Sequence, residues 1–215
     1  MSSRRLAVIG AGKFGTAVAR AAVAAGYDTV LAARGPAEDM ALMIEIIVPG
    51  ARAVSLDEAV AHADLVVLAV PSFRFRDLPP DRFAGKILVD PINYWTQTDG
   101  FDAELAADPS RTSEVVQRHF ASARVVKSLN QLGYHQFEDE RRPRGTPGRI
   151  AMAAAGDDRD AVRQVLALID DLGFDPVDAG PLSAGAPLGP GGPAFGVVAT
   201  REQLVGLLGL GETVG

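Results

Sequence analysis

Residues 10–15 read Gly-Ala-Gly-Lys-Phe-Gly, a G-x-G-x-x-G spacing. Before it runs "RRLAVIG" (4–10), a short apolar stretch ending on glycine. After it comes "KFGTAVARAAVAAG" (13–26), alanine-rich and stopped by Gly26, and then a second apolar run, "TVLAAR" (29–34). Strand, glycine turn, helix and strand are the setting that gives this spacing meaning. Gly10 permits a tight turn, Gly12 lets the backbone approach a ligand, and Gly15 lets the helix pack close to the sheet. Ala17, Ala21 and Ala25 give that helix a small face suited to close packing. Free N–H groups of Ala11, Gly12, Lys13, Phe14 and Gly15 at the helix start then face a diphosphate, helped by the helix dipole.

The pattern continues along the chain. "PAEDMALMIEII" (36–47) predicts a helix opened by Pro36, and "ARAVS" (51–55) a short strand. Ser55 and Glu58 form a capping box that opens a helix over 56–62. "ADLVVLAVP" (63–71), "GKILVDPIN" (85–93) and "ARVVKSLN" (123–130) predict buried strands, with a helix over 111–121 before the last. Continuously apolar strands separated by helices imply a parallel sheet covered on both faces. The expected fold is α/β, a doubly wound parallel Rossmann sheet over residues 1–130. A smaller C-terminal α/β subdomain, 131–215, is expected to pack on it. Within that part, 149–156 and 175–182 predict strands, 157–173 a clear helix and 200–210 a terminal helix. "GAPLGPGGPAFG" (185–196) holds five Gly and three Pro and predicts a loop. Residues 1–3 are expected to be a loose tail.

Bulk properties exclude several function classes. The formal net charge of −6 gives no general attraction to nucleic acid or an anionic membrane. Cysteine is absent, which removes disulfides, thiolate catalysis and thiolate metal sites. No apolar stretch is long enough to cross a membrane, and the N-terminus lacks the pattern of a secretory signal. A cytoplasmic protein is expected, with a small-molecule redox acceptor, a homodimeric assembly and neither nucleic acid nor membrane as partner.

Arg34 lies about twenty residues beyond the glycines, where NAD-preferring sites carry an acid for the ribose hydroxyls. A guanidinium there binds a 2′-phosphate instead, through paired charge-assisted hydrogen bonds. That reads as NADP(H), with Ala33 beside the arginine; Glu38 and Asp39 offer alternative ribose contacts. Ligands of open α/β sheets sit outside the carboxyl ends of the strands. This nominates Val70, Pro71 and Ser72 at one strand end, Asn93 at the next, then Asn130 and Gln131. The asparagines serve equally well as local turn residues. No Tyr-x-x-x-Lys occurs, which argues against short-chain dehydrogenase chemistry, and the three histidines show no metal-ligand spacing. His135 is the one histidine placed for acid–base work. "SFRFRD" (72–77) either clamps a planar anionic partner or simply packs.

Taken together, "VIGAGKFGTAVA", "VLAAR", "DLVVLAVP", "GKILVDPIN", "SEVVQRHFASARVVKSLN" and "DDLGFDPVDAGPL" resemble the NADPH-dependent reductases of coenzyme F420, a deazaflavin. The same domain occurs as the cytosolic part of certain membrane metalloreductases. The resemblance implies hydride transfer between NADPH and a flat, flavin-like ring. It implies that residues 11–15 hold the diphosphate and Arg34 the 2′-phosphate, with Pro71, Asn93 and Asn130 at the junction of the two rings. It departs from this sequence in two places. The family often sets a second polar or basic group beside the arginine, where this chain has Ala33 and Gly35. The archaeal deazaflavin reductases are helical where this chain is Gly/Pro-rich after Leu182. Two other readings stay open: an NADP-dependent reductase of a small imine or carbonyl compound, whose long helical C-terminal domain the remaining eighty-five residues are too few to supply, and a non-catalytic NADP(H) sensor or partner subunit.

Overall fold

A computed structural model describes residues 4–211; the tail expected at 1–3 lies outside the described residues. Eight strands form one sheet: β1 (Arg5–Ile9), β2 (Asp28–Ala32), β3 (Arg52–Ala53), β4 (Leu65–Leu68), β5 (Ile87–Asp90), β6 (Arg124–Ser128), β7 (Ala151–Gly156) and β8 (Asp175–Gly180). Their spatial order is β3-β2-β1-β4-β5-β6-β7-β8. The first six give the Rossmann order, with the direction of sheet growth reversing between β1 and β4. They are parallel throughout.

The helices are α1 (Lys13–Ala24), α2 (Ala37–Ile47), α3 (Leu56–His62), α4 (Thr96–Asp99), α5 (Ala103–Ala107), α6 (Thr112–His119), α7 (Tyr134–Asp139), α8 (Arg159–Asp171) and α9 (Arg201–Leu207). The Ser55–Glu58 capping box is formed at the start of α3, and Asp158 caps α8 through the Ala161 N–H at 2.8 Å.

The unbroken apolar character of the strands follows from burial on both faces. In β1, Leu6 and Val8 enter one core with α1 and α8, while Ala7 and Ile9 enter a second with α3 and α6. β4 repeats this, with Leu65 and Val67 on one side and Val66 and Leu68 on the other. From Leu6 to Ile9 and throughout β4 no position faces water, so the period-two alternation of a half-buried strand is absent there.

In the part expected as a unit packed on the first 130 residues, β7 and β8 extend the same sheet. β7 pairs antiparallel with β6, and β8 parallel with β7. Met152 and Ala154 join the core of α1 and α8; Ala151, Ala153 and Ala155 face a third cluster with Leu188, Ala194 and Leu204. The parallel sheet expected over residues 1–130 is present in β1 to β6, and β7, outside that span, is the one strand that runs antiparallel to a neighbour. The segment expected as a loop at 185–196 begins inside a 3-10 helix, Leu182–Leu188, and seals this outer face.

Arg149 fixes the entry to β7. Its guanidinium is almost wholly buried and pairs with both Asp170 and Asp175 at 2.8 Å. The loop arginines 141, 142 and 144 bond to nearby backbone and to Asp170.

Candidate dinucleotide site

A cavity of about 880 Å³ opens along the carboxyl ends of β1, β2, β4, β5 and β6. That volume lies in the upper range of small-molecule sites. The glycine turn forms its floor, and each glycine answers a different constraint. Gly10 has φ +118°, and a Cβ there would lie 2.1 Å from the Ala69 carbonyl oxygen at the end of β4. At Gly15 a Cβ would lie 2.0 Å from the Gly10 oxygen and 3.0 Å from the Ala69 Cβ. These two glycines bring α1 against β1 and β4. At Gly12 the backbone is extended, and a Cβ would meet nothing within 4 Å. Gly12 is therefore not required by packing: a side chain there would project into open cavity, where a diphosphate belongs.

The helix start is left unserved by the protein. Gly12 is the N-cap of α1, no side chain caps it, and the first turn carries no acid. A helix leaves its first amides without intrahelical acceptors and carries partial positive charge at that end. Lys13 adds a cation near the turn, 5.3 Å from the centre of the Tyr134 ring. The residues present thus fit a dinucleotide diphosphate.

Arg34 lines the cavity at the end of β2 and is exposed. Fourteen other arginines make ion pairs, yet Arg34 has neither ion-pair nor hydrogen-bond partner among the described residues. Ala33 lines the cavity beside it, whereas Glu38 and Asp39 do not.

The strand ends beyond β1 behave differently from one another. Val70, Pro71 and Ser72 line the cavity, and Ser72 Oγ donates to Asp99 Oδ2 at 2.8 Å. The same carboxylate oxygen accepts the Trp95 N–H at 2.9 Å, so Ser72 anchors the turn that carries Trp95. Asn93 and Asn130 also line the cavity, but they are committed to each other. Asn93 Nδ2 donates to the Asn130 carbonyl, and Asn130 Nδ2 donates to Asn93 Oδ1, both at 3.1 Å. Asn130 Nδ2 donates as well to the Leu188 carbonyl at 2.7 Å, while its Oδ1 is buried without a partner. The pair clamps β5, β6 and the C-terminal segment together at the cavity wall.

Leu129, just before this clamp, is buried with φ +62°. A left-handed leucine costs about 1–3 kcal/mol and persists where the surroundings enforce it. The bend turns Gln131 away from the cavity. Gln131 is buried and its Oε1 accepts the Ala153 N–H at 2.6 Å, tying β7 to the sheet. His135 is likewise off the cavity, exposed on α7 and stacked on Tyr134 with ring centres 3.9 Å apart.

Behind the wall, Asp90 and Lys127 sit in register on β5 and β6, both fully buried. Burial pushes the Asp90 carboxyl pKa up and the Lys127 ammonium pKa down, each opposed by the other's charge. Lys127 Nζ donates to Ser113 Oγ at 3.3 Å and Thr112 Oγ1 at 3.5 Å. Asp90 Oδ1 accepts the Ile92 N–H at 2.9 Å, shaping the turn that leads to Asn93. Gly185 admits the lysine stem, since a Cβ there would lie 2.8 Å from Lys127 Cδ.

Leu56, Leu78, Trp95, Leu132 and Tyr134 line the cavity but escaped the sequence reading, whereas Ser72, Arg74 and Asp77 of the "SFRFRD" segment line it and Phe75 packs in the core. Trp95 is exposed and lies 5.7 Å, ring to ring, from Phe195 of the Gly/Pro-rich segment. Among the described residues there is no cluster of metal ligands, and no helix is long and apolar enough to cross a membrane.

The fold and the glycine cradle define a Rossmann dinucleotide-binding protein. Residues 5–94 match the family model described as NADP oxidoreductase coenzyme F420-dependent. The crystal structure of the hypothetical protein SMa0349 from Sinorhizobium meliloti is 30% identical, with 93% of this chain and 97% of that one covered and a TM-score of 0.81. A structure from Arthrobacter sp. FB24, provisionally named an F420-dependent NADP-reductase, is 26% identical over 86% of this chain and 88% of that one, with a TM-score of 0.71. An imine reductase from Pseudomonas sp., 14% identical at a TM-score of 0.57, shares the fold, and the match covers 97% of this chain and 62% of the reductase. YjhV of Escherichia coli K12 is 44% identical over 46 residues, so the matched stretch spans only 34% of that curated relative and 21% of this chain. The likeness to the coenzyme F420-dependent NADP oxidoreductase family rests on the stretch from β1 through β5, residues 5–94 of this chain.

Proposed function

We propose that the protein is an NADP(H)-dependent oxidoreductase that passes hydride between NADPH and a flat, flavin-like acceptor, the deazaflavin coenzyme F420 being the leading candidate. The observation that carries the cofactor half is the cradle itself: open space at Gly12, an uncapped helix start, and an unpartnered Arg34 in one cavity. The acceptor half draws support from the family match and from Trp95, which lines the cavity with Phe195 packed against it.

NADP(H) bound here would supply or take a hydride at its nicotinamide ring. The work of the chain is to hold and to shield. Amides of the glycine turn hold the diphosphate, and Arg34 holds the 2′-phosphate. Pro71 and the Asn93–Asn130 clamp fix the wall where the two rings meet. Ile9, Leu68, Ile92, Leu129 and Leu132 make that wall apolar and keep water out. Direct transfer between rings depends on placement rather than on an acid or base, because alignment supplies the effective concentration. Neither His135 nor Gln131 has a part in it. The same reading includes a homodimer in the cytoplasm, which light scattering and cell fractionation test.

Two experiments decide the main points. Arg34→Asp should lower kcat/KM for NADPH by at least about tenfold and spare NADH. Equal losses for both cofactors, or none, refute the 2′-phosphate contact. Anaerobic NADPH oxidation with deazaflavin, FMN, ferric chelate and small imines identifies the acceptor. Turnover with imines alone overturns the flavin-like reading, and NADP(H) binding without turnover on any acceptor points to a sensor.

A further inference from the structure

The cavity that Arg34 lines is also walled by segments distant from it in sequence. Arg34 comes from β2, Leu56 from the start of α3, and Arg74, Asp77 and Leu78 from the turn after β4. That turn is held back over the sheet by the 3-10 turn Pro80–Phe83, which packs on α3. Arg82 ties the same contact to Asp57 at 3.0 Å. Leu56 and Leu78 pack against one core cluster. One cavity thus carries two guanidinium groups, Arg34 and Arg74, beside apolar lining from Leu56 and Leu78, the chemistry that recognises a phosphorylated nucleoside.

The two arginines are in different states. Arg34 has no partner among the described residues. Arg74 Nη1 pairs with Asp77 Oδ2 at 2.9 Å, three residues along the chain, and both side chains are exposed. An exposed pair of this kind is weakly held. A phosphate dianion offers a guanidinium stronger, paired hydrogen bonds than a solvated carboxylate does.

We infer that Arg74 is a specificity-determining residue, the second cation of the 2′-phosphate subsite, exchanging Asp77 for the phosphate when NADP(H) binds. The inference rests on the NADP(H) reading above. It accounts for a gap in the sequence: Arg34 is flanked by Ala33 and Gly35, so the second basic group reaches the phosphate from another strand end rather than from the next residue.

Calorimetric titration of the full chain with adenosine 2′,5′-bisphosphate and with 5′-AMP tests this without turnover. Arg74→Ala should weaken the bisphosphate at least about fivefold and leave 5′-AMP within about twofold. Arg74→Lys should recover part of the loss, because charge remains but the planar fork does not. Asp77→Asn, which frees Arg74, should tighten the bisphosphate about two- to fivefold. Equal weakening of both ligands by Arg74→Ala overturns the inference in favour of an adenine contact. If Arg34→Ala abolishes the preference for the bisphosphate and Arg74→Ala leaves it whole, the role of Arg74 fails while the NADP(H) reading stands. If the unaltered protein shows no preference, both fail.

Discussion

Gly12 and Gly15 are separated by less than one helical turn, yet the structure assigns them opposite duties, and alanine tells them apart. At Gly12 the backbone is already extended and the added methyl meets no atom within 4 Å. Replacing glycine by alanine in a compatible conformation stabilises by about 0.4–1 kcal/mol through the unfolded chain. Alanine is a poorer N-cap than glycine by a comparable amount. The two effects offset, so Gly12→Ala should leave stability within about 0.5 kcal/mol and Tm within about 2 °C. The methyl group nevertheless stands in the diphosphate cradle and should weaken NADPH by at least about tenfold, or 1.4 kcal/mol. At Gly15 the methyl would lie 2.0 Å from the Gly10 carbonyl oxygen, a backbone atom that cannot rotate aside. Forced overpacking costs about 1–3 kcal/mol, which lowers Tm by about 2–12 °C in a chain of this size. Thermal unfolding without nucleotide, paired with fluorescence titration of NADPH, reads both quantities. A Gly12→Ala protein that binds NADPH within about twofold of the parent, or melts as early as Gly15→Ala, refutes the assignment of Gly12 to the ligand.

Asp90 and Lys127 form no direct ion pair, and Asp90 Oδ2 is buried without a partner, yet each charge opposes the cost of burying the other, which predicts an asymmetric response. Lys127→Met leaves Asp90 buried without its compensating charge and should destabilise by about 3–5 kcal/mol at neutral pH in denaturant titrations. Asp90 then has a folded pKa above its unfolded value, so its stabilising protonated form is favoured at low pH and lost as pH rises through the folded pKa. The deficit should therefore shrink in acid, and a loss under about 1 kcal/mol at pH 7 would show that the pair is not coupled. Tyr27 supplies an alkaline counterpart. Burial, together with a 2.8 Å hydrogen bond to the Asp171 carboxylate, raises its pKa. Its contribution is complete below the ordinary tyrosine value of about 10 and falls as pH rises toward the folded value. Tyr27→Phe should cost about 1–3 kcal/mol at neutral pH and flatten the loss of stability between about pH 9 and 11. Identical slopes in parent and variant would remove Tyr27 from that role.

The parts legible in the sequence obey local rules. β1, the glycine turn and α1 are contiguous, and their signal depends on backbone conformation and on burial that every strand shares. The Ser55–Glu58 capping box spans four residues and is formed as read. Arg34 was legible because its distance from the glycines follows from one helix and one strand. What failed to show is equally particular. Gln131 follows Asn130 directly, yet the left-handed bend at Leu129 sends its side chain to Ala153 instead of the cavity. The amides of Asn93 and Asn130 bond to one another across thirty-seven residues of chain, so their availability to a ligand was not readable from either strand end.

The sequence by itself determined a Rossmann fold, its glycine turn and an arginine at the end of β2, because strand, turn and helix are set by neighbours within a few residues. Only the tertiary structure decided that β7 and β8 extend the same sheet, with β7 antiparallel to β6, since pairing direction depends on where the chain returns. Only the tertiary structure brought Arg74, Leu78, Leu56 and Arg34 into the lining of one cavity, and Phe195 beside Trp95. Those juxtapositions depend on packing between segments far apart in the chain, and no local pattern encodes them.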